Sequence, residues 1–325
     1  MSPPLAVARR IVRGRPGSSQ VRRHRAGDPE MAAPRLDRTT VAGLAPLDHT
    51  LVPTGGTVDL GELFGPVVGP LVLPVRPDGR PATIVNFVQS IDGAVRLSHD
   101  EPDSVAVARH NMHDWLVLGL LRALASTIVI GAEPLRVGRG AQTAERAVPG
   151  LATELADLRR AVGLGPLHHV VVSGSGDLPA DAAIWSEPAT VVTTHVGRAA
   201  LRLPTHVDVV VDDEAAEGRV RTALVHDVAV SVTPTGSATG VPAVILCEPG
   251  PALLADLLRD DVVDEVFLTL SPLIAGEAVG RLGLVGGPAR VPLVLRGLAV
   301  AGSHVFTRWM PERTSSGAGA VAPPG

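Results

Sequence analysis

Residues 241–272, VPAVILCEPGPALLADLLRDDVVDEVFLTLSP, constrain the fold more than any other stretch of the chain. Ala243, Val244, Ile245, Leu246 and Cys247 form an apolar run, Glu248 ends it, and a Pro-Gly-Pro turn follows. Leu253, Leu254, Leu257 and Leu258 then recur at helical spacing before Asp264 opens a second apolar run. The unit reads as strand, tight turn, helix, strand. Gly250 suits a helix N-cap, and Pro251 the first helical position, where its fixed φ fits and a missing N–H goes unnoticed. Free N–H groups and the positive end of the dipole attract phosphate to such a helix start. Two readings of the turn stay open, a phosphate cradle and a plain connection, because fold by itself does not decide function.

The same alternation runs along the chain. A strand over residues 82–88, ATIVNFV, ends in Gln89-Ser90-Ile91-Asp92-Gly93, and Asp-Gly marks a turn. Ser90 and Asp92 thus fall at a strand's C-terminal edge, where open α/β sheets bind ligands. A helix is expected over 105–126, a strand over 127–130, a helix over 153–162 and a strand over 169–172, which leads into Ser173-Gly174-Ser175-Gly176-Asp177. Strands follow at 190–193, 207–211 and 228–232, with a helix at 214–224. Residues 293–300 and 303–309 read as a hairpin around Ala301-Gly302. Strands alternating with helices imply a mostly parallel central sheet flanked by helices, and the C-terminal hairpin adds an antiparallel edge.

Composition narrows the function classes. The 325 residues include no Lys, no Tyr and a single cysteine, Cys247, so an internal disulfide and a cysteine-based zinc site are both excluded. Residues 1–30 read as a basic arm with seven arginines, as a transit peptide, or as a start placed too early, Met31 being the next methionine. Taking its seven arginines and two acids from the totals of 29 and 33 leaves 22 basic and 31 acidic residues, a body at −9. That charge argues against nucleic acid as a partner. No apolar run is long enough to span a membrane. Residues 31–80, rich in Pro and Gly, read as a lead-in packed on a domain at 81–310, and residues 311–325 as a flexible tail. His110 and His113 lack a third ligand, so no metal site is expected.

Several motifs in order resemble the bacterial riboflavin-pathway reductase domain. They are Asn86-Phe87-Val88-Gln89-Ser90-Ile91-Asp92-Gly93, Leu121-Arg122-Ala123-Leu124-Ala125, Val129-Ile130-Gly131-Ala132 with Arg136, Glu248 with Gly250-Pro251, and Val263-Asp264-Glu265 with Leu268-Thr269-Leu270-Ser271-Pro272. The resemblance implies a dihydrofolate-reductase-like fold and NADPH-dependent reduction of 5-amino-6-(5-phosphoribosylamino)uracil, with hydride going to the ribosyl carbon. It also implies a cytoplasmic homodimer whose partner is that small phosphoribosyl-pyrimidine.

By position in the family's motifs, Asp92 and Ser90 are the catalytic candidates, with Asp92 relaying a proton. Asn86 and Arg136 are expected to hold substrate, Arg136 through the ribose phosphate. Gly131, Ser173, Gly174, Ser175, Thr193, Glu248 and Gly250 are expected to meet the cofactor, with Thr194 beside them. The chain departs from the family at Pro249 and Glu277, where glycines are usual. A proline there removes one N–H from a pyrophosphate contact. Two other functions therefore stay open, a dihydrofolate-reductase-like enzyme acting on another heterocycle and a degenerate relative that binds nucleotide without turnover.

Overall fold

The computed structural model describes residues 36–52, 55–98, 104–138, 140–216, 218–234, 239–287 and 290–313. The expected basic arm at 1–30 and nearly all of the expected tail lie outside them. Ten strands form the main sheet: β1 (Asp48–Leu51), β2 (Ala82–Ser90), β3 (Thr127–Gly131), β4 (His168–Ser173), β5 (Ala189–Thr194), β6 (Asp208–Asp212), β7 (Val244–Glu248), β8 (Glu265–Ser271), β9 (Leu293–Ala301) and β10 (His304–Pro311). Their order is β1-β9-β10-β8-β2-β7-β3-β4-β5-β6. From β8 to β6 every neighbour is parallel, while β10, β9 and β1 add antiparallel strands at one margin.

Period-2 alternation sends successive side chains to opposite faces and builds two cores. On one face Ile84, Ile128, Ile130 and Leu246 pack under α3 (Met112–Leu124) and α4 (Ala152–Ala161), through Leu116, Leu120, Leu124 and Leu155. On the other, Val85, Val129, Ile245 and Cys247 meet α5 (Thr222–Val232) and α6 (Pro251–Arg259), through Val225, Val228, Leu254 and Leu257. Burying each such side chain contributes about 1.5–3 kcal/mol. Gly250 is the N-cap of α6 and Pro251 its first residue, as the spacing requires.

The expected helix at 105–126 is two helices. α2 (Ser104–Ala108) stops at Arg109 and His110, which both adopt positive φ, and Asn111 then caps α3 by accepting the Asp114 N–H at 3.0 Å. The expected helix at 214–224 and strand at 228–232 are both replaced by α5. Val228, Val230 and Val232 alternate like a strand, but Val225, Val228 and Ala229 share one helical face and are buried there. Asp212 holds the preceding segment as a loop: its carboxylate accepts the Glu214 N–H, the Arg221 N–H and the Arg221 Nε–H at 2.7–3.1 Å. The lead-in is more regular than its Pro and Gly content suggests. It carries β1 and α1 (Gly61–Val68), joined by a hydrogen bond from Leu47 N to Val67 O and one from His49 Nε2 to Val68 O.

Candidate functional site

Parallel strands put all their C-terminal ends on one edge, so Ser90, Gly131, Ser173, Thr194, Glu248 and Ser271 fall along it. Ser90 stands beside Ser271 in register, and Glu248 beside Ile130. The candidates from β2, β3, β4, β5 and β7 thus share an edge, while Asn86 lies further back along β2, level with Phe267.

Asp92 organises the turn after β2. Ser90 Oγ donates to Asp92 Oδ1 at 2.6 Å and itself accepts the Ala94 N–H at 2.8 Å. Across the edge, Ala275 N donates to Oδ1 at 3.0 Å and Gly276 N to Oδ2 at 2.8 Å. The Arg281 guanidinium donates to the Asp92 carbonyl at 2.7 Å and lies 3.6 Å from the carboxylate. The Ala275 N–H, followed by the Ser90 hydroxyl, holds the Asp92 carboxyl well below the ordinary carboxylate range. Leu284 N bonds Gly93 O and Gly286 N bonds Pro251 O, so the loop after β8 is laced to both the β2 turn and the start of α6. Glu277 is exposed, one residue beyond that clasp.

Glu248 is engaged from below. Arg122, on the last turn of α3, donates Nε to Oε1 at 2.7 Å and Nη2 to Oε2 at 2.5 Å, and Nη2 also reaches Gln142 Oε1 at 2.6 Å. The two side chains are 8% and 17% exposed, a nearly buried two-pronged pair. Sequence reasoning gave Arg122 no role. A lone guanidinium in Leu120-Leu121-Arg122-Ala123-Leu124, on a face otherwise apolar, was the available signal.

At the β4–β5 end the polar groups serve the protein itself. Thr193 Oγ1 donates to Ser173 O at 2.6 Å and Thr194 Oγ1 to Gly174 O at 2.7 Å, while Ser173 Oγ accepts the Gly176 N–H at 3.2 Å. A Cβ on Gly174 would run into the Gly218 carbonyl, so this loop touches its neighbour backbone to backbone. Arg136 is brought to the same loop, donating to Asp177 O at 2.9 Å and to Ser175 Oγ at 3.1 Å.

Nearer the middle of the edge the surroundings are open. A Cβ at Gly131 or Gly250 would meet nothing within 4 Å. Ser271 Oγ is buried with no hydrogen-bond partner. Open space at the ends of β3 and β7, with an orphaned hydroxyl at the end of β8, fits a polar ligand laid across β8, β2, β7 and β3. The Thr193 and Thr194 hydroxyls and the Arg136 guanidinium are all engaged within the protein, Arg136 also facing the Asp177 carboxylate at 3.2 Å, so the backbone around Gly250 is the open candidate for a cofactor phosphate.

Among the described residues no group of three or more His, Cys, Asp or Glu could hold a metal, and no helix is long and apolar enough to cross a membrane. Cys247 is fully buried, which pushes its thiol up to about 12.

A family model described as the RibD C-terminal domain matches residues 81–305. No curated protein sequence matches the chain. Among solved structures, a pyrimidine reductase-like protein from Corynebacterium diphtheriae is 21% identical, with a TM-score of 0.51 over 74% of this chain and 96% of that one. A Thermotoga maritima diaminohydroxyphosphoribosylaminopyrimidine deaminase/5-amino-6-(5-phosphoribosylamino)uracil reductase is 17% identical, with a TM-score of 0.48 over 72% of this chain. The match spans 57% of that protein's length. A dihydrofolate reductase from Enterococcus faecalis, complexed with NADP(H), is 10% identical, with a TM-score of 0.33 over 71% of this chain and 97% of its own. At 21% identity the likeness to the Corynebacterium diphtheriae protein is one of fold.

Proposed function

The chain belongs to the RibD C-terminal domain family, and from that we propose that it is an NADPH-dependent reductase of 5-amino-6-(5-phosphoribosylamino)uracil. The reading is carried by one observation: the open stretch at Gly131 and Gly250 and the orphaned Ser271 hydroxyl lie on the edge where the family's motifs converge. NADPH, when bound, supplies the hydride that the ribosyl carbon gains. The chain's residues then have three tasks: to hold the sugar against the cofactor, to keep water out, and to place a proton.

Asn86, on the face shared with Ser90, is suited to bind the pyrimidine amide edge as both donor and acceptor. Arg136 offers the charge and fork geometry for the ribose phosphate or a cofactor phosphate; its side chain, 40% exposed, faces the Asp177 carboxylate at 3.2 Å, a partner that a phosphate would replace. The Asp92 clasp holds the loop after β8 over the site. The same reading includes a cytoplasmic homodimer.

The test is NADPH oxidation by the purified chain with the phosphoribosylaminouracil, run beside dihydrofolate. Consumption with the first acceptor and not the second supports the reading. Consumption with dihydrofolate alone moves the enzyme to another heterocycle. Cofactor binding without turnover of either leaves a nucleotide-binding relative.

A further inference from the structure

We infer that Arg96 binds a phosphate monoester of the ligand, and that Glu133 is the carboxylate its guanidinium exchanges for that phosphate. The inference rests on the reductase reading above and names a residue outside the motifs that carry the family resemblance.

Position comes first. Arg96 ends the short strand Ala94–Arg96, just past the Asp92-Gly93 turn, and pairs with Leu282 of the loop after β8. Its Nε donates to Gly280 O at 2.8 Å and its Nη1 to Glu133 Oε1 at 3.2 Å. Glu133 opens the helical turn Glu133–Arg136, which follows Gly131 at the end of β3. In the sheet β7 lies between β2 and β3. The ion pair therefore joins elements two strand spacings apart, about 9–10 Å, and reaches across the end of β7. Gly131 and Gly250, where a Cβ would meet nothing within 4 Å, flank the same gap. A ligand laid across β2, β7 and β3 has to pass beneath this pair or part it.

The other arginines near this gap are committed elsewhere. Arg122 gives two hydrogen bonds to the Glu248 carboxylate, Arg136 bonds Ser175 and Asp177, and Arg281 bonds the Asp92 carbonyl. A guanidinium carries five N–H donors in a planar fork. On Arg96 the Nε and Nη1 nitrogens are used, and no acceptor among the described residues meets Nη2.

The two halves of the pair also differ in depth. The Arg96 side chain is 17% exposed and that of Glu133 67%. The cation is thus seated in the protein, while the carboxylate reaches it from solvent through a single contact, the kind of pair that water screens to little. A phosphate monoester brings more negative charge and three strong acceptor oxygens, and it takes the fork through two parallel bonds. It is the stronger partner for the donors that Glu133 leaves unused.

Glu133 then has two effects. It keeps Arg96 extended toward β3, and it competes with the phosphate for the guanidinium. Removing one half of the pair should weaken binding and removing the other should strengthen it, which a bridge that only holds the fold together does not do.

The test measures the affinity for NADPH, NADH and ribose 5-phosphate by calorimetry. The proteins are the full chain, Arg96→Met, Arg96→Lys, Glu133→Gln and the Arg96→Met/Glu133→Gln double variant, with turnover of the phosphoribosylaminouracil and thermal melting followed on each. Arg96→Met should weaken the phosphate-bearing ligand about 10-fold or more, and Arg96→Lys, which keeps the charge and loses the fork, should restore part of that. Glu133→Gln should tighten the same ligand about two- to fivefold. In the double variant Glu133→Gln should add nothing, because no guanidinium remains to compete for.

A loss in ribose 5-phosphate affinity, matched by a rise in KM for the phosphoribosylaminouracil, puts the substrate's phosphate on Arg96. A loss for NADPH and not for NADH puts the cofactor's 2′-phosphate there. Unchanged affinities in Arg96→Met, or a Glu133→Gln variant that tightens nothing, overturn the inference, and turnover by the unmodified chain then leaves the reductase reading standing. Effects that simply add in the double variant overturn it too, since charges acting at a distance add. If Arg96→Met fails to fold, Arg96→Lys and Glu133→Gln still decide. Opposite-signed binding effects in a chain that reduces no phosphoribosylaminouracil sink the reductase reading and leave Arg96 a phosphate site.

Discussion

The Arg122 guanidinium clasps the Glu248 carboxylate from the opposite side of the β7 turn, tying the last turn of α3 to the end of a central strand. Removing one partner strands the other charge where water hardly reaches. Glu248→Gln or Arg122→Met should each cost about 3–5 kcal/mol in urea unfolding, and the double variant should recover part of that loss. A double variant as unstable as the sum of the singles would show that the two side chains act independently.

Asp92 should make stability depend on acid. Its carboxyl is held low chiefly by the Ala275 N–H and then by Ser90. A depressed folded pKa gives stability that is present above the unfolded value, about 3.9, and is lost as pH falls through the folded one. Melting temperature against pH should therefore fall more steeply below about pH 4 for the unmodified chain than for Asp92→Asn, with the two curves converging in acid. Parallel curves would mean that the clasp contributes nothing.

Cys247 should be chemically silent in the folded protein. Burial pushes the thiol to about 12, so almost none is thiolate at neutral pH. A thiol reagent should label it only at the rate of unfolding. Rapid labelling in native buffer would show that β7 opens locally.

Thr193 spends its hydroxyl on the Ser173 carbonyl in a buried setting. Thr193→Val should cost about 1 kcal/mol of stability and leave NADPH affinity unchanged. A fall of tenfold in affinity, read by calorimetry, would instead put that strand end in contact with the cofactor.

Much of this arrangement was legible in the sequence because it depends on short-range rules. The β7–α6 unit follows from an apolar run, Gly250 and Pro251, and the edge position of Ser90 and Asp92 follows from one strand ending at an Asp-Gly turn. What could not be read depends on residues far apart in the chain. Asp92 and Gly276, and Arg122 and Glu248, meet only through the fold. The error at 214–232 has the same origin: valines that alternate locally are sorted by which face finds a core, and the Asp212 contact to Arg221 is invisible at short range.

Strand β1 precedes the residues shared with the family, yet it pairs with β9 at Leu298, Ala299 and Val300. An uncovered outer strand offers its N–H and C=O groups to any other extended chain. The lead-in thus works as a built-in stopper, four residues long and with Asp48 exposed, a poor template in its own right. Beyond its reach Leu293 and Val294 remain exposed and apolar. Trimming the chain past residue 52 would lengthen that bare margin and turn a hidden strand into a seed for aggregation.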